Sequence, residues 1–283
     1  MTKDTFFRKK ETINAGGKLI SLATPKVMGI INLTPDSFYA GSRKPLISDA
    51  LLQANKMLSE GADFLDIGAY SSRPGADDIS EQEETDRLLP VVELISANHP
   101  DAIISVDTFR SQVAEAAIKA GAHIINDISG GQLDKNMFAA VARLQVPYIL
   151  MHTKGSPQNM NQLAQYEDVF TEVLDYFAGR YYELKQLGVH DVIIDPGFGF
   201  AKMQDHSYAL MSRLQHLNVL QLPILVGVSR KRMVYNVTGG TAEDALNGTT
   251  ALNTIALMKG ASILRVHDVK EAVEAIKIFR MCE

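Results

Sequence analysis

Two carboxylates, Asp107 and Asp195, each stand directly after an apolar run, Ile103-Ile104-Ser105-Val106 and Val192-Ile193-Ile194. A carboxylate at the buried end of such a run is costly unless it meets hydrogen-bond donors. Asn126 follows Ile124-Ile125 and adds a combined donor and acceptor. Together these groups suit a planar amidine-like edge, such as the 2-amino-4-oxo edge of a pterin or guanine, which a carboxylate meets with two parallel hydrogen bonds. The alternative for Asp107, just before Thr108, is a cap on the following helix. In the string Asp195-Pro196-Gly197-Phe198-Gly199-Phe200-Ala201-Lys202, one proline fixes φ and two glycines permit close ligand approach. Its aromatic residues suit a flat substrate. Arg230, Lys231 and Arg232 are consecutive bases that need a bound anion or nearby carboxylates. In Arg265-Val266-His267 the outer two residues share a strand face. With Asn32 they make a phosphate-type anion site. Arg73 and Lys202 extend this recurrence of bases near run ends, which points to an anionic ligand. The remaining candidates among the histidines, His99, His123, His190, His206 and His216, read as structural or surface groups. Zinc-type ligand spacing, a Gly-x-Gly-x-x-Gly fingerprint and a P-loop are all absent from the sequence.

These residues need elements to bring them together. Eight short apolar runs recur: Val27–Ile31, Phe64–Ile67, Ile103–Val106, Ile124–Ile125, Tyr148–Met151, Val192–Ile194, Ile224–Val228 and Ile263–Val266. Nearly every run ends in a polar residue. Runs of this length between helix-like stretches read as buried parallel strands. Eight βα repeats make an α/β protein of the (β/α)8 TIM-barrel class, whose C-terminal strand ends converge on one mouth. Helices are expected over Ser48–Glu60 with a Ser cap, Glu81–Ala97, Ser111–Lys119, Asn136–Leu144, Glu167–Leu187, Asp205–Leu217, Gly248–Met258 and Val269–Met281. Residues 1–25 contain Ala15-Gly16-Gly17-Lys18, a hairpin turn. An N-terminal β-hairpin there is expected to close the barrel floor. Three long loops, Thr34–Pro45, Ser71–Ser80 and Thr153–Tyr166, leave from the mouth, where barrel loops build sites.

Length and composition narrow the class. The 283 residues suit one barrel domain, 1–283, since the fold takes about 250 residues. A net charge of −5 gives no reason to expect a nucleic-acid partner. A lone cysteine, Cys282, excludes an intrachain disulfide. No apolar run approaches the ~20 residues of a membrane span, and the polar start lacks a signal-peptide core. A cytoplasmic enzyme acting on small molecules is the expectation.

The chain closely resembles the dihydropteroate synthase family over essentially the whole barrel. The resemblance rests on Met28-Gly29-Ile30-Ile31-Asn32-Leu33-Thr34-Pro35-Asp36-Ser37-Phe38, Ser71-Ser72-Arg73-Pro74-Gly75, Ser105-Val106-Asp107-Thr108 and Asn126-Asp127. It continues through Asp195-Pro196-Gly197-Phe198-Gly199-Phe200, Ser229-Arg230-Lys231 and Arg265-Val266-His267-Asp268-Val269. It implies condensation of 6-hydroxymethyl-7,8-dihydropterin diphosphate with 4-aminobenzoate, assisted by Mg2+, in a homodimer. By the same resemblance Asp107, Asn126, Asp195 and Lys231 hold the pterin, Met151 joins them as a substrate contact, and Arg265 packs over the ring. Asn32 serves the Mg2+–pyrophosphate site. Ser72, Arg73, Arg265 and His267 take phosphate oxygens, and Phe38, Pro74, Phe200, Lys231 and Arg232 line the aminobenzoate site. Two positions depart from the family pattern: Tyr70 stands where a glutamate is common, and Arg232 where a small hydroxyl residue is common. The nearest alternative is a pterin-binding methyltransferase, against which the anion-binding residues argue. A non-catalytic homologue and a Schiff-base aldolase using Lys231 are the others.

Overall fold

The computed structural model describes residues 10–33, 43–71 and 78–282. The chain opens with β1 (Thr12–Ala15) and β2 (Lys18–Ser21), an antiparallel hairpin with Ala15 opposite Lys18. Gly16 and Gly17 between them have φ of +60° and +74°, which suits glycine in a two-residue turn. A Cβ on Gly16 would sit 2.3 Å from the His123 ring.

Strands and helices then alternate: β3 (Lys26–Asn32), α1 (Arg43–Ser59), β4 (Phe64–Gly68), α2 (Glu81–Asn98), β5 (Ile103–Asp107), α3 (Ser111–Lys119), β6 (Ile124–Asp127) and α4 (Met137–Leu144). They continue with β7 (Tyr148–Met151), α5 (Val169–Gln186), β8 (Val192–Asp195), α6 (Gln204–Ser212), β9 (Leu225–Val226), α7 (Arg232–Thr238), α8 (Leu246–Met258), β10 (Ile263–Val266) and α9 (Val269–Met281). β3 to β8 pair in chain order, all parallel, and β10 lies between β3 and β9. A single bridge from Ile194 to Ile224 brings the last strand back to β8, so the sheet closes into the expected barrel.

Strand alternation sorts the side chains into two cores. Outward positions such as Val27, Ile31, Leu65, Ile67, Ile104, Val106, Ile194 and Leu264 pack against the helices. Inward, every barrel strand contributes one residue to a floor: Met28, Phe64, Ile103, Ile124, Ile149, Ile193, Leu225 and Ile263. Ile13, Ala15 and Leu22 of the hairpin segment belong to the same cluster. The hairpin therefore plugs the floor, as expected from sequence. Its flanks are tied down too, because Asp191 accepts from Lys10 Nζ (2.6 Å) and the Asn14 N–H (3.2 Å).

Several expected boundaries shift. The first helix begins at Arg43, so Ser48 lies inside it and does not cap it. The segment after β8 is not one helix: Arg213 (φ −107°, ψ 8°) separates α6 from a 3₁₀ stretch, Leu214–Leu220. α7 has no counterpart among the expected helices, because its seven residues are too few to show helical periodicity. Among the described residues, no helix is long and apolar enough to cross a membrane.

Candidate active site

Two residues beyond the floor, the inward strand face turns polar. The positions are Ile30, Asp66, Ser105, Asn126, Met151, Asp195, Gly227 and Arg265, one from each consecutive barrel strand or its extension. All but Arg265 are buried, so charge here is desolvated. Asp66 Oδ2 accepts from Asn126 Nδ2 (2.9 Å) and from Arg265 Nε (2.6 Å). Arg265 Nη2 donates to Asp107 Oδ2 (2.7 Å). One guanidinium is thus clamped between carboxylates from β4 and β5. Burial opposes its charge, but Asp66 and Asp107 outweigh burial and hold its pKa above the usual value.

Asp107 does not cap α3. The N-cap position is Arg110, which makes no side-chain cap bond. Burial raises the Asp107 carboxyl to about 7; Arg265 opposes that rise, while Asp66, Glu84 and Asp127 reinforce it. Asp195 is also raised by burial, against which Lys231 and the Gly197 N–H (2.8 Å from Oδ1) act. Lys231 points inward and donates to the Phe198 carbonyl (2.6 Å). Its Nζ lies 4.7 Å from the centre of the Phe200 ring. Burial lowers the Lys231 pKa to about 8, against the pull of Asp195.

The three consecutive bases divide. Arg230, in a left-handed conformation (φ +55°), pairs with both oxygens of Asp268 at 2.7 and 2.9 Å. Lys231 enters the barrel. Arg232 is exposed at the start of α7. The repulsion expected among them is relieved by a carboxylate and by direction. Lys202, expected with the anion-binding bases, is buried instead. Its Nζ meets His152 Nδ1 at 2.8 Å and donates to the carbonyls of Phe200 (3.0 Å), Gly197 (3.1 Å) and His152 (3.2 Å). It staples the Asp195–Lys202 segment to β7 and is not placed to bind an anion. In that segment Phe198 is fully buried, so only Phe200 is available to a substrate. Gly197 (φ +67°) is required there, since a Cβ would come within 2.1 Å of the His152 carbonyl.

His267 and Arg265 are brought together at the end of β10, beside β3. Ser229 Oγ accepts from the His267 N–H and lies 3.2 Å from Nδ1. His267 is exposed at the mouth, and desolvation together with the neighbouring Arg265 charge disfavours its protonation. Asn32 ends β3 on the inward face, half-buried. Met151 is the inward end of β7 and lies opposite Asp195. Phe38, Ser72, Arg73 and Pro74 lie outside the described residues. Tyr70, the departure from the family's acid, accepts from Gln158 Nε2 (2.9 Å) and stacks edge-on against Phe109 at 5.0 Å.

Sequence reasoning missed Asp66, Glu84 and the Lys202–His152 contact. Asp66 had a signal: it is the one charge inside Phe64-Leu65-Asp66-Ile67, on the inward parity shared with Phe64. Glu84 sits on α2 with no local mark. It is buried and accepts from Arg110 Nη1 (2.7 Å).

Among the described residues no cluster of His, Cys, Asp and Glu is suited to hold a metal. Mg2+ asks for few protein ligands, takes hard oxygens and shares its shell with substrate phosphates. The Asn32 amide oxygen at the mouth fits that demand.

Comparison with known proteins agrees with this geometry. The model of the pterin binding enzyme family matches residues 28–267. Dihydropteroate synthase from Escherichia coli K12 is 42% identical over 266 residues, covering 93% of this chain and 94% of that protein. Dihydropteroate synthase from Xanthomonas albilineans with 4-aminobenzoic acid superposes with a TM-score of 0.90 at 37% identity, over 96% of this chain and 98% of that one. The same enzyme in complex with 7,8-dihydropteroate gives 0.86 at 35% identity, with the same coverage.

Proposed function

The chain belongs to the dihydropteroate synthase family of pterin-binding enzymes, and from that premise we propose how its residues divide the work. The reaction is the condensation of 6-hydroxymethyl-7,8-dihydropterin diphosphate with 4-aminobenzoate to 7,8-dihydropteroate and pyrophosphate. The observation that carries the assignment of roles is the polar layer itself. Asp66, Asp107 and Asp195 face Arg265 and Lys231 inside a low-dielectric barrel. With all five ionised, one negative charge is left over. Such a layer favours a ligand rich in N–H donors and a transition state that gains positive charge.

Asp107, Asn126 and Asp195 take the amino-pyrimidine edge, and Lys231 donates to the ring's acceptor atoms. Arg265, held by two acids, lies against the ring. The exocyclic C–O bond breaks and its electron pair leaves with the diphosphate. Arg265 and His267 at the end of β10, with Ser72 and Arg73, receive that charge. His267 donates a hydrogen bond to the departing diphosphate and takes up a proton from solvent as that negative charge arrives. The amine nitrogen of 4-aminobenzoate then forms the new C–N bond and releases a proton to solvent, so no strong base is needed. Phe38, Pro74, Phe200, Lys231 and Arg232 border the incoming ring. Met151 closes the pterin end with an apolar contact. Asn32 is the residue that would hold Mg2+, which when bound supplies charge neutralisation for the diphosphate. The same reading takes the working form to be a cytoplasmic homodimer. Exposed Ile255 and Met258 on α8, with Ile278 and Met281 on α9, supply an apolar face for it.

The test is pyrophosphate release from the dihydropterin diphosphate, with and without 4-aminobenzoate and Mg2+, with dihydropteroate followed by chromatography. Stoichiometric dihydropteroate that collapses at least a hundredfold in Asp195→Asn supports the assignment. Release at an unchanged rate in that variant would remove Asp195 from the site.

A further inference from the structure

Asp66 is fully buried on β4, outside the set of residues assigned to substrate. One of its oxygens, Oδ2, accepts both from Asn126 Nδ2 at 2.9 Å and from Arg265 Nε at 2.6 Å. Its other oxygen, Oδ1, has no partner among the described residues. We propose that Asp66 is a positioning residue for the pterin, setting through this one oxygen the direction of both the Asn126 amide and the Arg265 guanidinium. The inference rests on the pterin-site reading of Asn126 and Arg265.

An amide side chain has two near-equivalent orientations, and its environment decides between them. A carboxylate only accepts, so the Asn126 nitrogen is turned towards Asp66. The Asn126 oxygen and second N–H remain for the cavity, side by side with the acceptor-only Asp107 and Asp195. Without Asp66 the amide could flip and exchange donor for acceptor against the pterin edge. Arg265 meets the same constraint from the other side. Nε on Asp66 and Nη2 on Asp107 define the plane of the guanidinium and prevent rotation about its last bond. Two contact points from adjacent strands orient a planar group where one would not.

A charge-balancing role and a positioning role separate by substitution. Asp66→Ala removes both bonds. Asp66→Asn removes the charge but keeps an oxygen that can accept both. The expected results, with 6-hydroxymethylpterin titrated by fluorescence, are a rise in Kd of at least thirtyfold in Asp66→Ala and less than fivefold in Asp66→Asn. At saturating diphosphate the KM for 4-aminobenzoate should stay within about twofold in both. Asp66→Ala added to Asn126→Ala should cost less than Asp66→Ala costs alone, because only Arg265 is then left to be positioned. Equal losses in the Ala and Asn variants, or additive losses in the double variant, would overturn the positioning role. If Asn126→Ala itself leaves the pterin Kd unchanged, the pterin-site reading fails first, so the two failures are distinguishable. Should Asp66→Ala not fold, the unmodified protein still decides the matter. With 15N-labelled asparagine, one Asn126 amide proton should resist solvent exchange before any ligand is added. Rapid exchange of both would refute the assignment.

Discussion

The floor and the polar layer of this barrel lie two residues apart on the same strands, on the same face, yet they do opposite work. The floor is made of Met28, Phe64, isoleucines, Leu225 and the inserted Ile13. One step towards the C-terminal ends, Phe64 gives way to Asp66, Ile124 to Asn126, Ile193 to Asp195 and Ile263 to Arg265. Apolar burial at the floor stabilises the fold. The layer above spends some of that stability on charges held out of water, which is where a reaction with developing charge needs them. The difference teaches that stability and chemistry are segregated along the strand axis, and that substitutions should reveal the border.

The largest effect should come from Arg265→Ala in the polar layer. Asp66 and Asp107 would lose their shared cation, and losing one partner of a buried ion pair costs about 3–5 kcal/mol. Activity should fall at least a hundredfold and the melting temperature should drop with it. Near-normal kinetics would erase the distinction between the two layers. Next, Ile13→Ala at the floor should cost about 2–4 kcal/mol of stability by leaving a cavity. It should leave kcat/KM of the folded protein unchanged. A denaturation curve and a rate measured on one preparation test both halves, and lost activity at full folding would break the segregation. The smallest effect is in pH. Lys231, lowered to about 8 by burial, carries its charge below that pH and loses it above, whereas an ordinary lysine keeps it beyond 10. kcat/KM for the diphosphate, which reports the free enzyme, should therefore fall about tenfold per unit above pH 8, and fall again below about pH 7 as the Asp107 carboxyl takes up a proton. A level profile to pH 10 would show that Lys231 needs no charge to bind the pterin.

Much of this was legible from the chain. Parallel strands covered on both faces leave unbroken apolar runs, and all eight runs became barrel strands or their extensions. Residues at the ends of those runs are carried to one mouth by topology alone, which is why Asp107, Asn126, Asp195, Arg265 and His267 could be placed there from the sequence. Asp66 was hidden because a run is read by its average, and one aspartate among three apolar neighbours does not end it. Its inward parity with Phe64 was the available signal. Lys202 was misread because its charge and place suggested an anion. The structure instead offers it three carbonyls and the His152 ring, and no carboxylate within ion-pair distance among the described residues. Ser48 was misread as a cap because cap chemistry is local, whereas α1 already begins at Arg43.

By itself, the sequence determined what its period can encode: eight buried strands, the hairpin that plugs them, and polar groups at one set of strand ends. It also determined the family, because the ordered strings are specific. Only the tertiary structure decided which charges meet. Asp66 and Arg265 are 199 residues apart in the chain, and Arg265 and Asp107 are 158 apart. Such contacts follow from closing β10 against β3, which depends on the whole ring and leaves no local trace. The same closure turned Arg230 outward to Asp268 while its neighbour Lys231 entered the barrel. Direction at adjacent residues is a property of the packed fold, since only packing determines the inside of a barrel.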